Sequence, residues 1–292
     1  MSSVLYDVPG PRARLRNRIF GTVTVLVVLA VIALVVWRLF ATGQFTAQKW
    51  SIFTYSGPWM LLLNGLGKTL SAFIVAGIGA LILGFILAVG RLSDHAWVRV
   101  PVGWIVEILR AIPVLIFMML MYYGLPVVGV KMDPYYAVVI ALIVYNGSVL
   151  AEAMRAGVES LPRGQGEAGY AIGLRKNAVM RLILMPQAIR AMMPIIISQL
   201  VVALKDTALG FIITYPELLY VIKLLGNQVP FGSPLVPAAI IGGTIYVVLC
   251  LILSYVAYRV EKSTRRSPRV AAPPPGEGGE PVTMTEAIAT RR

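Results

Sequence analysis

Residues 145–186 read YNGSVLAEAMRAGVESLPRGQGEAGYAIGLRKNAVMRLILMP, a polar and basic stretch that joins one apolar run to the next. Pro162 can open a helix there, because its missing N–H costs nothing in a first turn, and Gly173 can close it in the left-handed conformation. The spacing predicts a helix over 162–173, about three turns long. Within it Glu167, Ala168 and Gly169 place one carboxylate beside two very small side chains. A groove on another protein could approach such a backbone closely, so the stretch reads as a docking surface. The plainer alternative is a solvated basic linker between two membrane spans.

Outward from this loop the chain is dominated by apolar runs. Of its 292 residues 58% are hydrophobic and 13% charged, with a mean hydropathy of +0.79, far more apolar than a soluble domain. A hydrocarbon core of about 30 Å needs about 20 apolar residues per helix. Runs of that kind lie near 19–40, 62–90, 102–124, 135–154, 185–204 and 236–258. The chain is therefore expected to be an all-α polytopic membrane protein of about six spans. The first run could be a signal peptide, but it exceeds the usual length of one and no small-residue cleavage site follows.

The net charge of +13 would suggest nucleic acid in a soluble protein. With both termini cytoplasmic, however, 19 of the 26 Lys and Arg fall in cytoplasmic segments, among them Arg12, Arg14, Arg16, Arg18 and the six cations from Arg155 to Arg190. That bias sets the orientation and matches anionic membrane lipid, so no nucleic-acid partner is expected. The single Cys250 lies in an apolar run and His95 is the only histidine. Thiol or histidine metal sites and Ser-His-Asp chemistry therefore lack their parts, and neither a metal nor another cofactor is expected.

Five segments follow: a basic N-terminal tail over 1–18, a first span over 19–40, an interfacial connector over 41–61 with Trp50, Tyr55 and Trp59, a core over 62–260, and a Pro- and Gly-rich disordered tail over 261–292. The core holds the polar loop 155–185. Between Thr207 and Pro234 a half-length apolar stretch, 208–214, is followed by Pro216, Glu217, Gly226 and Pro230. It suggests a short outer helix over a pathway, or an ordinary outer loop. Gly65-Leu66-Gly67-Lys68-Thr69 resembles a phosphate-binding loop, but Leu62 stands where its first glycine belongs and no strand precedes it.

Ionisable groups inside spans cost at least about 2.5–3.5 kcal/mol and need a partner or a wet path. Glu107 and Arg110, three apart, form either a mutual ion pair or part of a substrate pathway. Glu152 and Arg155 repeat the spacing and suit a brace for the polar loop. Asn146 can bond a neighbouring helix or a ligand. Lys205 and Asp206, at the outer end of the fifth run, offer a cation and an anion to a zwitterion and are the first candidates for a substrate site. As neighbours on a helix they point about 100° apart, so one of them can face the pathway while the other pairs or caps.

The polar loop resembles the E-A-A-x3-G-x9-I-x-L-P loop of type I ABC importer permeases. Glu167, Ala168, Gly173, Ile183 and Pro186 fall in register, while Gly169 replaces the second Ala and Met185 the Leu. The flanking Glu152, Arg155, Gly157, Ser160 and Gln165, with Glu107, Arg110, Pro113 and the Leu204-Lys205-Asp206-Thr207 run, look like the polar amino acid subgroup that serves His, Gln, Glu and Arg uptake. The likeness covers roughly 60–260 and implies a five-helix core to which the first span is an addition. It also implies that Glu167, Ala168, Gly169 and Gly173 belong to a cytoplasmic coupling helix seated in an ATP-binding subunit. The implied partners are two such ATPases, a second permease subunit, an extracytoplasmic substrate-binding protein and a polar amino acid, glutamate or glutamine first. The implied location is the bacterial cell membrane. The rivals are an ion-coupled secondary transporter or channel, which would not need the docking loop, and a membrane enzyme, for which the clustered catalytic groups are missing.

Overall fold

Backbone polar groups in hydrocarbon must bond within their own segment, so long apolar runs become long helices. In the computed structural model, which describes residues 10–264, the first is α1, Pro11–Ala41. It starts eight residues ahead of the apolar run, with Pro11 in its first turn, and so takes in the four N-terminal arginines. None of its residues is buried.

A short helical connector leads to α2, Ser56–Arg91, which begins six residues earlier than its apolar run suggests. Its buried positions are mostly small: Gly65, Thr69, Ala72, Ala76, Ala80, Gly84 and Ala88. Small residues let helix backbones approach closely in a membrane, where no water drives them together. The partner is α5, Pro134–Glu159, the most deeply buried helix, opened by Asp133, whose side chain accepts from the Tyr135 N–H at 2.8 Å. A β-carbon on Gly84 would lie 2.9 Å from Leu150, and one on Gly147 would press on Leu83. Side chains at these positions would force the two helices apart.

The third apolar run is not one span. It divides into α3, Ala96–Ala111, and α4, Val114–Met119, the latter continuing in wider and tighter turns to Val128, with a bend of 93° between the two. Pro113 is the cause, because a residue preceding proline is driven out of the helical region, and Ile112 is extended at φ −83° and ψ 120°. Among the described residues five helices are long and apolar enough to span, and the bent pair would raise the number to six only if it were one span.

After α5 come the short α6, Arg163–Ala171, and a continuous helical stretch, Lys176–Ile213, whose main part is α7, Met185–Asp206. A wide turn over Met180–Leu184 lies just ahead of Pro186, whose ring disturbs the bonding pattern of the preceding turn. The stretch ends in a tight turn, Thr207–Ile213, closed by Thr214 at φ +63°. The half-length apolar segment thus remains on the end of α7, and the short outer helix is the next one, α8, Leu218–Gly226. The last helix, α9, is Leu235–Thr264 and passes the expected boundary at 260. The C-terminal tail from 265 lies outside the described residues, as do residues 1–9.

Candidate functional site

The polar loop folds as its turn residues require. Pro162 flanks α6, and Gly173 at φ +82° ends it, with the Gly173 N–H on the Tyr170 carbonyl at 2.9 Å and the Leu174 N–H on that of Gly169 at 3.1 Å. Glu167 and Ala168 are exposed, together with Tyr170 and Ile172. Gly169 faces the other way. It is buried, and a β-carbon there would lie 2.9 Å from both Val179 and Ile183. Its smallness seats α6 on its own chain, so Glu167, Ala168, Tyr170 and Ile172 are left as the outward surface. The Gln187 amide reaches Gln165 at 3.2 Å and fastens α6 to α7.

Above this loop lies an ion network at the ends of three helices. Arg91, the last residue of α2, reaches Glu152 of α5 at 3.2 Å and Glu107 of α3 at 3.7 Å. Arg155 donates through Nε to both Glu152 oxygens at 3.0 Å and also pairs with Glu159. It thus holds the Glu152 and Glu159 carboxylates along one face of α5, and Arg110 adds a looser contact to Glu107 at 3.9 Å. Asp94 pairs with Lys176 across the base of the loop, which holds the Asp94 carboxyl below its ordinary range.

The bend at Pro113 decides the depth of Glu107 and Arg110. Because α3 crosses α2 at its last turn, these two stand among the charges beside the loop and not with the outer candidates. Asn146 is buried one and a half turns above Glu152, roughly 9 Å along α5. It donates to the Leu142 carbonyl at 2.9 Å and accepts from Gln199 of α7 at 2.8 Å. Lys205 and Asp206 lie a further turn and a half along α7, away from the polar loop. Lys205 is exposed and lines a groove with Ala208, Tyr246, Cys250 and Ser254, while Asp206 is partly buried beside it. Within one chain the five pathway candidates therefore form three separate levels.

Two residues without a strong signal in the sequence organise these levels. Glu217 is completely buried and accepts from the Leu219 and Tyr220 N–H groups at 2.8 and 2.7 Å and from the Tyr246 hydroxyl at 2.7 Å. Its only sequence signal is an acid directly ahead of a nine-residue apolar helix. Gly65 lets that helix lie on α2, since a β-carbon there would meet Val221 at 2.9 Å, and Thr69 accepts from the Leu218 N–H at 3.1 Å. The apparent phosphate loop is thus a helix-packing surface. Arg91 is the other residue, and its only sequence signal is a cation that closes an apolar run, because Glu107 and Glu152 each already have an arginine three residues on.

Residues 80–266 match the family described as binding-protein-dependent transport system inner membrane component. The chain is 39% identical over 227 residues to the glutamate transport system permease protein GluD of Corynebacterium glutamicum, covering 76% of this chain and 82% of that one. It is 30% identical to a probable glutamine ABC transporter permease protein, GlnP, of Bacillus subtilis, covering 68% of this chain and 92% of the relative. Among solved structures, a chain of an amino acid ABC transporter crystallised with histidines superposes with a TM-score of 0.65 at 26% identity, over 73% of this chain and 97% of that one. An inward-facing MetNI methionine ABC transporter chain superposes at 0.59 with 21% identity, over 73% of this chain and all of the other.

Proposed function

Because the chain belongs to the binding-protein-dependent inner membrane transport family, as a permease subunit of an amino-acid ABC importer, we propose that its substrate is glutamate or glutamine. The observation that carries the substrate is the 39% identity to a glutamate permease over 227 residues. Lys205, an exposed cation on the groove between α7 and α9, supports it, since it can counter a side-chain carboxylate or bond an amide.

In this reading both termini are cytoplasmic, the membrane is the bacterial cell membrane, and a second permease subunit completes the pathway. The outward surface of α6 seats in one of two ATP-binding subunits, and a binding protein delivers the amino acid from outside. ATP-driven approach of the ATPases moves α6. The motion passes to α7 through Gln165 and Gln187, and to α5 and α2 through Arg155, Glu152 and Arg91. Lys205 and Asp206 then change which side of the membrane they face, because α7 moves as one rod with the loop. No covalent step on the solute is required.

The test is uptake of labelled glutamate by cells producing this chain with its partner subunits, against unlabelled competitors. Glutamate and glutamine should compete best, whereas stronger competition by arginine or histidine would assign it to basic amino acids.

A further inference from the structure

The helix α3 has a division of surfaces that transport by itself does not require. Its inner face, with Gly103 and Val106, packs on Ala88, Leu150 and Met154. Its outer face carries Trp97, Val100, Trp104 and Ile108, all exposed, with the two tryptophans at 76% and 68%. Glu107 falls between these two faces, while Arg99 and Arg110, near the ends of the helix, lie on the side of Gly103. A 93° bend separates this helix from α4, and it packs with Val102 on Gly90 and Gly103 on Arg91, at the last turn of α2. A helix of this kind, with tryptophans on one face and arginines beside them, suits the headgroup layer, where an indole keeps its ring in the apolar zone and its N–H in the wet one.

Beside the tryptophans opens a groove lined by Arg91, Arg99, Trp104, Glu107, Arg155 and Glu159. Arg155 is fully engaged with Glu152 and Glu159. Arg91 is not: its Nε is buried and has no hydrogen-bond partner among the described residues, although a buried N–H of this kind almost always has one. Gly103 makes room for this guanidinium, since a β-carbon there would stand 2.5 Å from Nη1. Arg99 uses one nitrogen on the Ser93 carbonyl at 3.3 Å and is otherwise exposed. The cluster of Arg91, Arg99, Arg110 and Arg155 against Glu107, Glu152 and Glu159 is left with one excess positive charge.

We infer that this groove holds the headgroup of a singly anionic phospholipid, with its phosphate on Arg99 and Arg91 and its acyl chains along Val100 and Trp104. One negative charge balances the cluster, and headgroup hydroxyls find acceptors on the exposed Glu107 and Glu159. Such a lipid would brace α3 against the same Arg91 that ties α2 to α5. The inference rests on the permease reading only in taking α3 to lie against membrane lipid, and lipid retention in detergent is independent of transport, so the two can fail separately.

The test is retention of lipid by the purified full-length chain, measured by native mass spectrometry after exposure to equal amounts of phosphatidylglycerol, phosphatidylethanolamine and phosphatidylcholine. Phosphatidylglycerol should be retained in preference to both others. Arg99→Gln should lower its retention about fivefold, the worth of one arginine at an anionic surface. Arg99→Lys should keep most of it, and Trp104→Ala should weaken it without loss of the anionic preference. Arg99 is exposed and makes a single protein hydrogen bond, so these variants should remain monodisperse. Equal retention of the three lipids, or unchanged retention in Arg99→Gln, would overturn the inference. So would displacement of the lipid by millimolar inorganic phosphate, which would make the groove a site for small anions, and so would a protein subunit found covering Trp97 and Trp104 in the assembled transporter.

Discussion

Tyr246 of α9 donates a 2.7 Å hydrogen bond to Glu217, the completely buried acid that also caps the first turn of α8. One carboxylate thus satisfies two backbone donors and one hydroxyl, and it ties the first turn of α8 to α9. Glu217→Ala should cost about 2 kcal/mol or more, from the lost cap and the orphaned hydroxyl together. Tyr246→Phe should cost about 1 kcal/mol, because the caps survive it. Thermal melts of the purified variants give the order, and equal melting temperatures for wild type and Glu217→Ala would remove this tie from the account.

The bond between Arg91 and Glu152 links the end of α2 to the helix that leads into the polar loop. A double-mutant cycle with Arg91→Ala and Glu152→Ala should therefore return a coupling energy within about 0.5–3 kcal/mol. Arg91→Ala alone should be milder than Glu152→Ala, since Arg155 remains to pair with Glu152, whereas loss of Glu152 strips both arginines. Strict additivity in the cycle would mean that the network is a set of independent surface pairs.

Much of this architecture was legible in residue order, and the gaps have physical causes. Apolar length located the spans, and Pro162 and Gly173 located α6, because both signals act locally on the backbone. The bend at Pro113 was also local, yet an apolar run reads the same whether straight or broken, and so the approach of Arg91 to Glu107 was not legible, although the pairing of Glu107 with Arg110 was. The direction of Gly169 was hidden because a missing side chain can serve an outside partner or an inside one, and only the position of Val179 and Ile183 decides. Glu217 escaped because its three donors come from residues 219, 220 and 246, the last brought near only by the packing of α9.

Asp206 and Lys205 are the outermost of the candidate pathway residues. If the substrate ammonium meets Asp206, Asp206→Asn removes a charge-assisted bond worth about 1.5–3 kcal/mol, and transport should fall about tenfold or more. Its abundance in the membrane should hardly change, because the carboxylate has no hydrogen bond among the described residues. Lys205→Gln should reduce glutamate uptake more than glutamine uptake. Equal losses for the two substrates would release Lys205 from any part in specificity, and disappearance of the Asp206→Asn protein from the membrane would make that residue structural.

In the proposed transport cycle energy enters through the exposed surface of α6, and above all through Glu167. Vesicles reconstituted with the chain, its ATP-binding subunits and its binding protein should accumulate labelled glutamate only when ATP is present on the side of α6. Glu167→Lys should abolish that uptake while the subunit remains inserted. Accumulation by the chain alone under an ion gradient, or undiminished ATP-driven uptake with Glu167→Lys, would contradict it.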